Sequence, residues 1–212
     1  DDDEHEVRRW RRLLAWYGVP ADPADLTLLR PPAAEVPARA TVVHPGSKIP
    51  AKRWPAERFA AVARELSRRG HRVVLTGSAD ERDLAARVAQ DAGLPPEAVL
   101  AGRTDLAELA ALVAGARMVV SGDTGVAHLA TGYATPSVVL FGPVSPTRWG
   151  PPPDRPRHRV IDASGWAGNR RDWSGADGVG TVATLAAVSV HEVLAAVDDA
   201  EQAVRVSGAI AA

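Results

Sequence analysis

The feature that most constrains this chain is a change of rhythm at residue 40. From there, short β-branched runs alternate with longer amphipathic stretches. Thr41–His44, Arg72–Thr76, Val99–Ala101, Met118–Ser121, Ser137–Phe141 and Arg159–Asp162 read as strands, and 55–69, 80–92, 105–115, 124–133 and 190–205 as helices. Pro55 suits a first helical turn and Gly70 the end of that helix. Apolar strands separated by helices imply βαβ units and a parallel sheet covered on both faces. With right-handed crossovers, the expected fold class is α/β, a Rossmann-like doubly wound parallel sheet. No internal repeat is visible.

The flanking regions read differently. Residues 1–4 are an acidic cluster expected to fray. Val7, Trp10, Leu13, Leu14 and Tyr17 recur at helical spacing and stop at Gly18. Residues 19–39 carry five prolines with little periodicity and read as a linker, so the division falls between 1–39 and 40–212. Residues 142–158, with six prolines, read as an ordered loop. Residues 163–187 show no clear period and are expected to form a mobile loop without assigned function.

Composition excludes several function classes. A formal net charge of −1 gives no bulk attraction to nucleic acid. Cysteine is absent, which removes disulfides, thiolate metal sites and a Cys nucleophile. No apolar run approaches the ~20 residues that span a bilayer. With no signal peptide and no initial Met, the chain reads as a trimmed or partial cytoplasmic product. The 23 Arg and 40 Ala suggest a GC-rich genome, against which the only two lysines, Lys48 and Lys52, lie within five positions.

In an open parallel sheet, ligands sit beyond the carboxyl ends of the strands. After the first strand comes Pro45-Gly46-Ser47-Lys48-Ile49-Pro50-Ala51-Lys52-Arg53-Trp54-Pro55. Gly46 allows close backbone approach, Ser47 offers a hydroxyl, and three cations precede a helix N-terminus that favours anions. A phosphate or diphosphate is the natural guest, and a solvated basic loop the ordinary alternative. After Met118–Ser121 comes Gly122-Asp123-Thr124-Gly125-Val126-Ala127-His128-Leu129. Asp123 there is either an N-cap or a ligand for sugar hydroxyls. Thr124 and Gly125 offer backbone amides at the helix end, and His128 lies one turn on. A third loop, 141–151, reads as a rigid turn or a wall of the same cleft. Thr76-Gly77-Ser78-Ala79-Asp80-Glu81 offers a carboxylate for ribose hydroxyls, although Asp80 could equally cap the next helix.

Rival chemistries lack their signatures. The chain has no G-x-G-x-x-G, no Walker loop, no G-x-S-x-G and no H-E-x-x-H, so no metal site is expected. Asp-Thr-Gly occurs in aspartic proteases, but those are all-β proteins.

His44-Pro45-Gly46, Lys52-Arg53-Trp54-Pro55, Gly102-Arg103-Thr104-Asp105-Leu106, Asp123-Thr124-Gly125-Val126-Ala127-His128-Leu129 and Leu140-Phe141-Gly142-Pro143 occur in order over about 110 residues. Together they resemble the heptosyltransferase family, glycosyltransferase family 9. The resemblance implies the C-terminal, donor-binding half of a two-domain GT-B enzyme. Residues 1–39 would then be an interdomain helix and linker, and 40–212 the nucleotide-sugar domain. It implies inverting transfer without a metal or cofactor, with ADP-heptose the expected donor and a glycan or lipid-linked acceptor held by an N-terminal domain. Peripheral membrane association of the full enzyme and a part in lipopolysaccharide biosynthesis go with it.

By the family's pattern, Lys52 and Asp123 carry catalysis. Lys52 neutralises the donor diphosphate and Asp123 binds donor-sugar hydroxyls. Ser47, Lys48, Thr124 and Gly125 meet the phosphates, Glu81 holds the ribose, and His128 completes the pocket. Ser47-Lys48 departs from the Ala or Thr common in the family. Two other readings stay open: a nucleotide-binding module without turnover, and another GT-B-like enzyme such as a nucleotide-sugar epimerase.

Overall fold

The computed structural model describes residues 4–22, 24–163 and 184–210. Five parallel strands, β1 (Thr41–His44), β2 (Val73–Leu75), β3 (Met118–Gly122), β4 (Ser137–Phe141) and β5 (His158–Asp162), form one sheet in the order β2-β1-β3-β4-β5. The expected strand at Val99–Ala101 is reduced to a single parallel bridge, Leu75 to Val99. A 3-10 turn at Pro96–Ala98 and the left-handed Gly102 (φ 69°) bracket it too closely for a longer ladder. Two further bonds, Leu100 N–H to Leu75 O and Gly102 N–H to Gly77 O, still seat this segment beside β2. With that bridge at the edge, the sheet has the doubly wound order expected from the sequence.

Helices α2 (Ala56–Arg68), α3 (Arg82–Ala92) and α8 (Val190–Ile210) cover one face, where Phe59, Leu66, Val88, Val193 and Val197 meet Val43, Leu75, Val120 and Leu140. On the other, Leu112 and Val113 of α4 (Leu106–Ala114) and Val126 and Ala130 of α5 (Gly125–Gly132) pack on Val42, Val74 and Val119. Adjacent strand residues therefore point to opposite helical layers, which is why the strands read as unbroken apolar runs. Full burial of each Phe or Leu stabilises such a core by roughly 1.5–3 kcal/mol. Pro55 is the N-cap of α2 rather than part of its first turn, and Gly70 (φ 83°) follows its C-cap.

Helix α1 (Glu6–Trp16) precedes the sheet. Glu4 is held by Arg12 Nη1 at 2.6 Å, so that end of the acidic cluster is tied down; residues 1–3 lie outside the described residues. No helix or strand occurs among the described residues of 19–39, yet the segment is seated where Leu28 N–H donates to Gly132 O at 3.0 Å. The proline-rich loop contains a helical turn, α6 (Pro146–Trp149), capped by Ser145. Most of the stretch expected to be mobile, 164–183, lies outside the described residues. Its end is ordered as α7 (Thr184–Ala187). Leu185 is buried there, as is Val188 just beyond, whose carbonyl accepts from Trp54 Nε1 at 3.1 Å.

Candidate functional site

The strand order reverses between β1 and β3, so a crevice opens beyond their carboxyl ends. The loop after β1 folds through a 3-10 turn, Pro50–Lys52, onto the end of β3. A Cβ at Gly122 would lie 3.1 Å from Lys52 O, so the missing side chain lets the turn approach closely. That approach sets Lys52 Nζ 2.6 Å from Asp123 Oδ2. The two side chains are 17 % and 7 % exposed, and 71 residues of chain separate them.

Asp123 is thus not the N-cap of α5. Thr124 takes that position with extended backbone and no side-chain capping bond, and its Oγ1 is buried without a partner among the described residues. The first backbone N–H groups of α5 have no acceptor within the helix. With the Lys52 ammonium beside them, they form a cradle for an anion, in which the Asp123 carboxylate can also receive hydroxyls.

His128 sits one turn along α5, its ring 6.0 Å from that of Trp149. Burial is the main force pushing its pKa below the ordinary histidine value; Asp123 opposes the shift, while Lys52 and His5 reinforce it. The imidazole is therefore neutral at pH 7.

Glu81 lies at the mouth of β1. Its Oε2 accepts from Ser78 N–H at 2.9 Å, and with Ser78 it forms a capping box, which leaves Asp80 without the capping role. A Cβ on Gly46 would fall 2.2–2.5 Å from the Glu81 carboxyl atoms, so only glycine lets the two meet. Buried His44 shares a 3.0 Å hydrogen bond with Thr76 Oγ1; burial lowers its pKa, with Glu81 opposing.

Lys52, Asp123, Thr124, Gly125 and His128 therefore converge, and Glu81 flanks them across Gly46. Ser47 is buried, its hydroxyl accepting from Ile49 N–H and its carbonyl from Arg53 Nε, so it shapes the loop. Lys48 is exposed. Sequence reasoning missed Trp149 as the neighbour of His128. It also missed the latch joining α1 to the 141–151 loop, in which His5 Nε2 meets Gly150 O at 3.0 Å and buried Glu6 meets Arg148 at 3.4 Å. The helical signal Pro-Thr-Arg-Trp after Ser145 was present but sat among prolines. Among the described residues, no three His, Cys, Asp or Glu side chains are grouped to hold a metal ion.

The family model for glycosyltransferase family 9 (heptosyltransferase) matches residues 2–168. Lipopolysaccharide heptosyltransferase 1 of Pseudomonas aeruginosa is 39 % identical over 149 residues, covering 68 % of this chain and 41 % of that protein. Lipooligosaccharide heptosyltransferase 2 of Haemophilus influenzae is 38 % identical over 108 residues, covering 48 % and 31 %. Among solved structures, the Escherichia coli ADP-heptose lipopolysaccharide heptosyltransferase II superposes with a TM-score of 0.62 at 28 % identity, over 78 % of this chain and 48 % of that one. A family 9 glycosyltransferase from Veillonella parvula gives 0.63 at 23 % identity, over 92 % and 51 %. The chain thus spans about half the length of these relatives or less. The motifs, the doubly wound sheet and the matched length agree: the chain belongs to glycosyltransferase family 9.

Proposed function

We propose that this chain supplies the donor-binding part of an inverting glycosyltransferase that moves a heptose from ADP-heptose to a glycan or lipid-linked acceptor. The observation that carries the proposal is the Lys52–Asp123 pair, set at the switch point against the N-terminus of α5. As the bond from the sugar to the diphosphate breaks, negative charge grows on the leaving phosphate. A positioned ammonium and the free N–H groups of α5 stabilise that charge, each such donor contributing roughly 3 kcal/mol. In this reading no metal is needed for that role.

Asp123 then receives hydroxyls of the donor sugar, while Glu81 takes the ribose. The similarity to an ADP-heptose transferase favours ADP over other nucleotides. The acceptor site and catalytic base are assigned to an N-terminal half, joined through α1 and the linker that follows it. A cytoplasmic enzyme at the membrane surface fits this reading; among the described residues no helix is long and apolar enough to cross a membrane.

Calorimetric titration of this chain with ADP, GDP and UDP, followed by an ADP-heptose transfer assay on the two-domain enzyme that contains it, tests the proposal. ADP binding with transfer is the expected result. ADP binding without transfer favours a nucleotide-binding module, and failure of all three nucleotides overturns both readings.

A further inference from the structure

The loop from Pro45 to Pro55 carries Lys52 to the crevice, yet only its three-residue 3-10 turn is regular structure. Loops of that kind move unless side chains tie them down. The first ties are local. Ser47 Oγ accepts from Ile49 N–H at 3.2 Å, and Ser47 O accepts from Arg53 Nε at 2.7 Å. Within the turn, Lys52 N–H donates to Ile49 O at 2.9 Å and Arg53 N–H to Pro50 O at 3.0 Å. These bonds give the turn its shape, but none of them fixes its place relative to the rest of the fold. The close approach to Gly122 permits contact with β3 and exerts no pull.

A distant tie starts two residues after Lys52. The Trp54 indole is 2 % exposed and meets Phe59 of α2 edge to face, with ring centroids 5.0 Å apart. Its Nε1 donates to Val188 O at 3.1 Å, across 134 residues of chain. Arg58 Nη1, from the first turns of α2, donates to the same carbonyl. Val188 is itself held firmly. Its N–H donates to Leu185 O at 3.1 Å, and both side chains lie in the core. The next residue, Ser189, is joined to α8 by reciprocal bonds with Glu192: Ser189 N–H to Glu192 Oε2 at 2.7 Å, and Glu192 N–H to Ser189 Oγ at 3.2 Å. The carbonyl between α7 and α8 is therefore a fixed acceptor, and a buried indole N–H needs such a partner. The core does not depend on this bond to keep α8, because Val193 and Val197 pack on the sheet by apolar contact. What the bond adds is an anchor for the chain beside Lys52.

Resting on the transferase reading above, the geometry assigns Trp54 as a positioning residue for the Lys52 ammonium, anchored through the Val188 carbonyl. Any shift of the indole passes to the Lys52 backbone through Arg53 alone. A displacement of about 1 Å at a charge-stabilising group is enough to slow a reaction by on the order of 10²-fold. The junction of α7 and α8 thereby serves the diphosphate cradle by holding the turn that carries its cation, a task for a supporting residue rather than a ligand.

The test is a double-variant cycle read as ADP affinity by calorimetry, on the unsubstituted chain, Trp54→Phe, Lys52→Met and the two combined. Trp54→Phe keeps an aromatic ring and removes the N–H. It is expected to weaken ADP binding about fivefold when Lys52 is present and less than twofold in the Lys52→Met background. Equal weakening in both backgrounds, or unchanged affinity in Trp54→Phe, overturns the assignment. Should Trp54→Phe fail to give a cooperative urea transition, Arg58→Met removes the other donor to Val188 O and enters the same cycle. Its effect is smaller, about twofold, and must likewise vanish without Lys52. Failure of ADP to bind the unsubstituted chain, or undiminished binding by Lys52→Met, instead overturns the donor-site reading itself.

Discussion

Replacing Lys52 by Met removes the ammonium while keeping most of the stem's apolar volume, and its effects on stability and binding separate cleanly. Asp123 is 7 % exposed and, among the described residues, its side chain is hydrogen-bonded through this one partner, so the substitution leaves a carboxylate with little water. Removing one member of a fully buried pair costs roughly 3–5 kcal/mol. Lys52 itself is 17 % exposed, so water can partly replace it, and a loss of about 2 kcal/mol in urea unfolding is expected. ADP affinity should fall about tenfold, and transfer by the two-domain enzyme by on the order of 10²-fold or more, because the missing donor counts most when charge develops on the diphosphate. Adding Asp123→Asn removes the orphaned charge. The double variant should recover most of the stability yet bind ADP more weakly than Asp123→Asn alone, in which Lys52 is free to meet phosphate and a repelling carboxylate is gone. Calorimetry and urea melts on the four proteins measure both quantities. Equal ADP affinity in the Lys52→Met and unsubstituted proteins would refute the reasoning and reduce Lys52 to a structural partner of Asp123.

Gly46→Ala places a Cβ within 2.2–2.5 Å of the Glu81 carboxyl atoms and must expel that side chain, weakening the capping box by about 1 kcal/mol. A loss of ADP affinity matching that of Glu81→Gln would confirm that Glu81 faces the ribose, whereas a change in thermal stability alone would leave it a cap. Gly102→Ala combines a φ of 69° with a Cβ 2.8 Å from Ala79 Cα and should cost roughly 1–3 kcal/mol, read as a lowered urea midpoint. His158 is buried against Ser137, and burial, followed by Arg157 and Arg155, pushes its pKa down to about 4. The unfolded chain, with an ordinary value of 6.5, binds the proton first, so stability is full above pH 6.5 and falls as pH drops through the interval toward 4. The interval corresponds to about 3 kcal/mol at most. Urea midpoints at pH 7 and pH 4.5 should therefore differ less in His158→Phe than in the unsubstituted protein, and equal slopes would refute the assignment.

Much of the fold was legible because its strands are buried on both faces. Runs such as Met118–Val120 and Val138–Leu140 are uninterrupted, and the helices between them keep one apolar stripe. What failed to read were elements whose state depends on distant contacts. Val99–Ala101 has strand composition, but its neighbours turn so sharply that one bridge survives. The four residues of α7 carry too little periodicity to announce a helix, and Leu185 is fixed by the core it enters. The choice between cap and ligand for Asp123 was beyond local reasoning for the same reason. Strand, turn and helix start are all encoded within ten residues, whereas the ammonium that claims the carboxylate arrives from 71 residues away.

The two lysines show how composition and geometry divide the same question. In a chain with 23 arginines, a lysine pair in one loop drew attention to that loop without distinguishing its members. The fold does distinguish them. Lys48 projects from the exposed part of the turn, where an arginine would serve as well. Lys52 follows four residues later in a 3-10 turn pressed onto Gly122, and its stem reaches a carboxylate just past the end of the neighbouring strand. An ammonium there has three donors in rotation, so it can keep one on Asp123 and turn the others toward an entering phosphate. A guanidinium presents a fixed planar fork that would engage the carboxylate two-fold and leave less for the ligand. A strand-end glycine, a short turn and a compact cation thus form one unit, each necessary for the ammonium to stand between a carboxylate and a diphosphate.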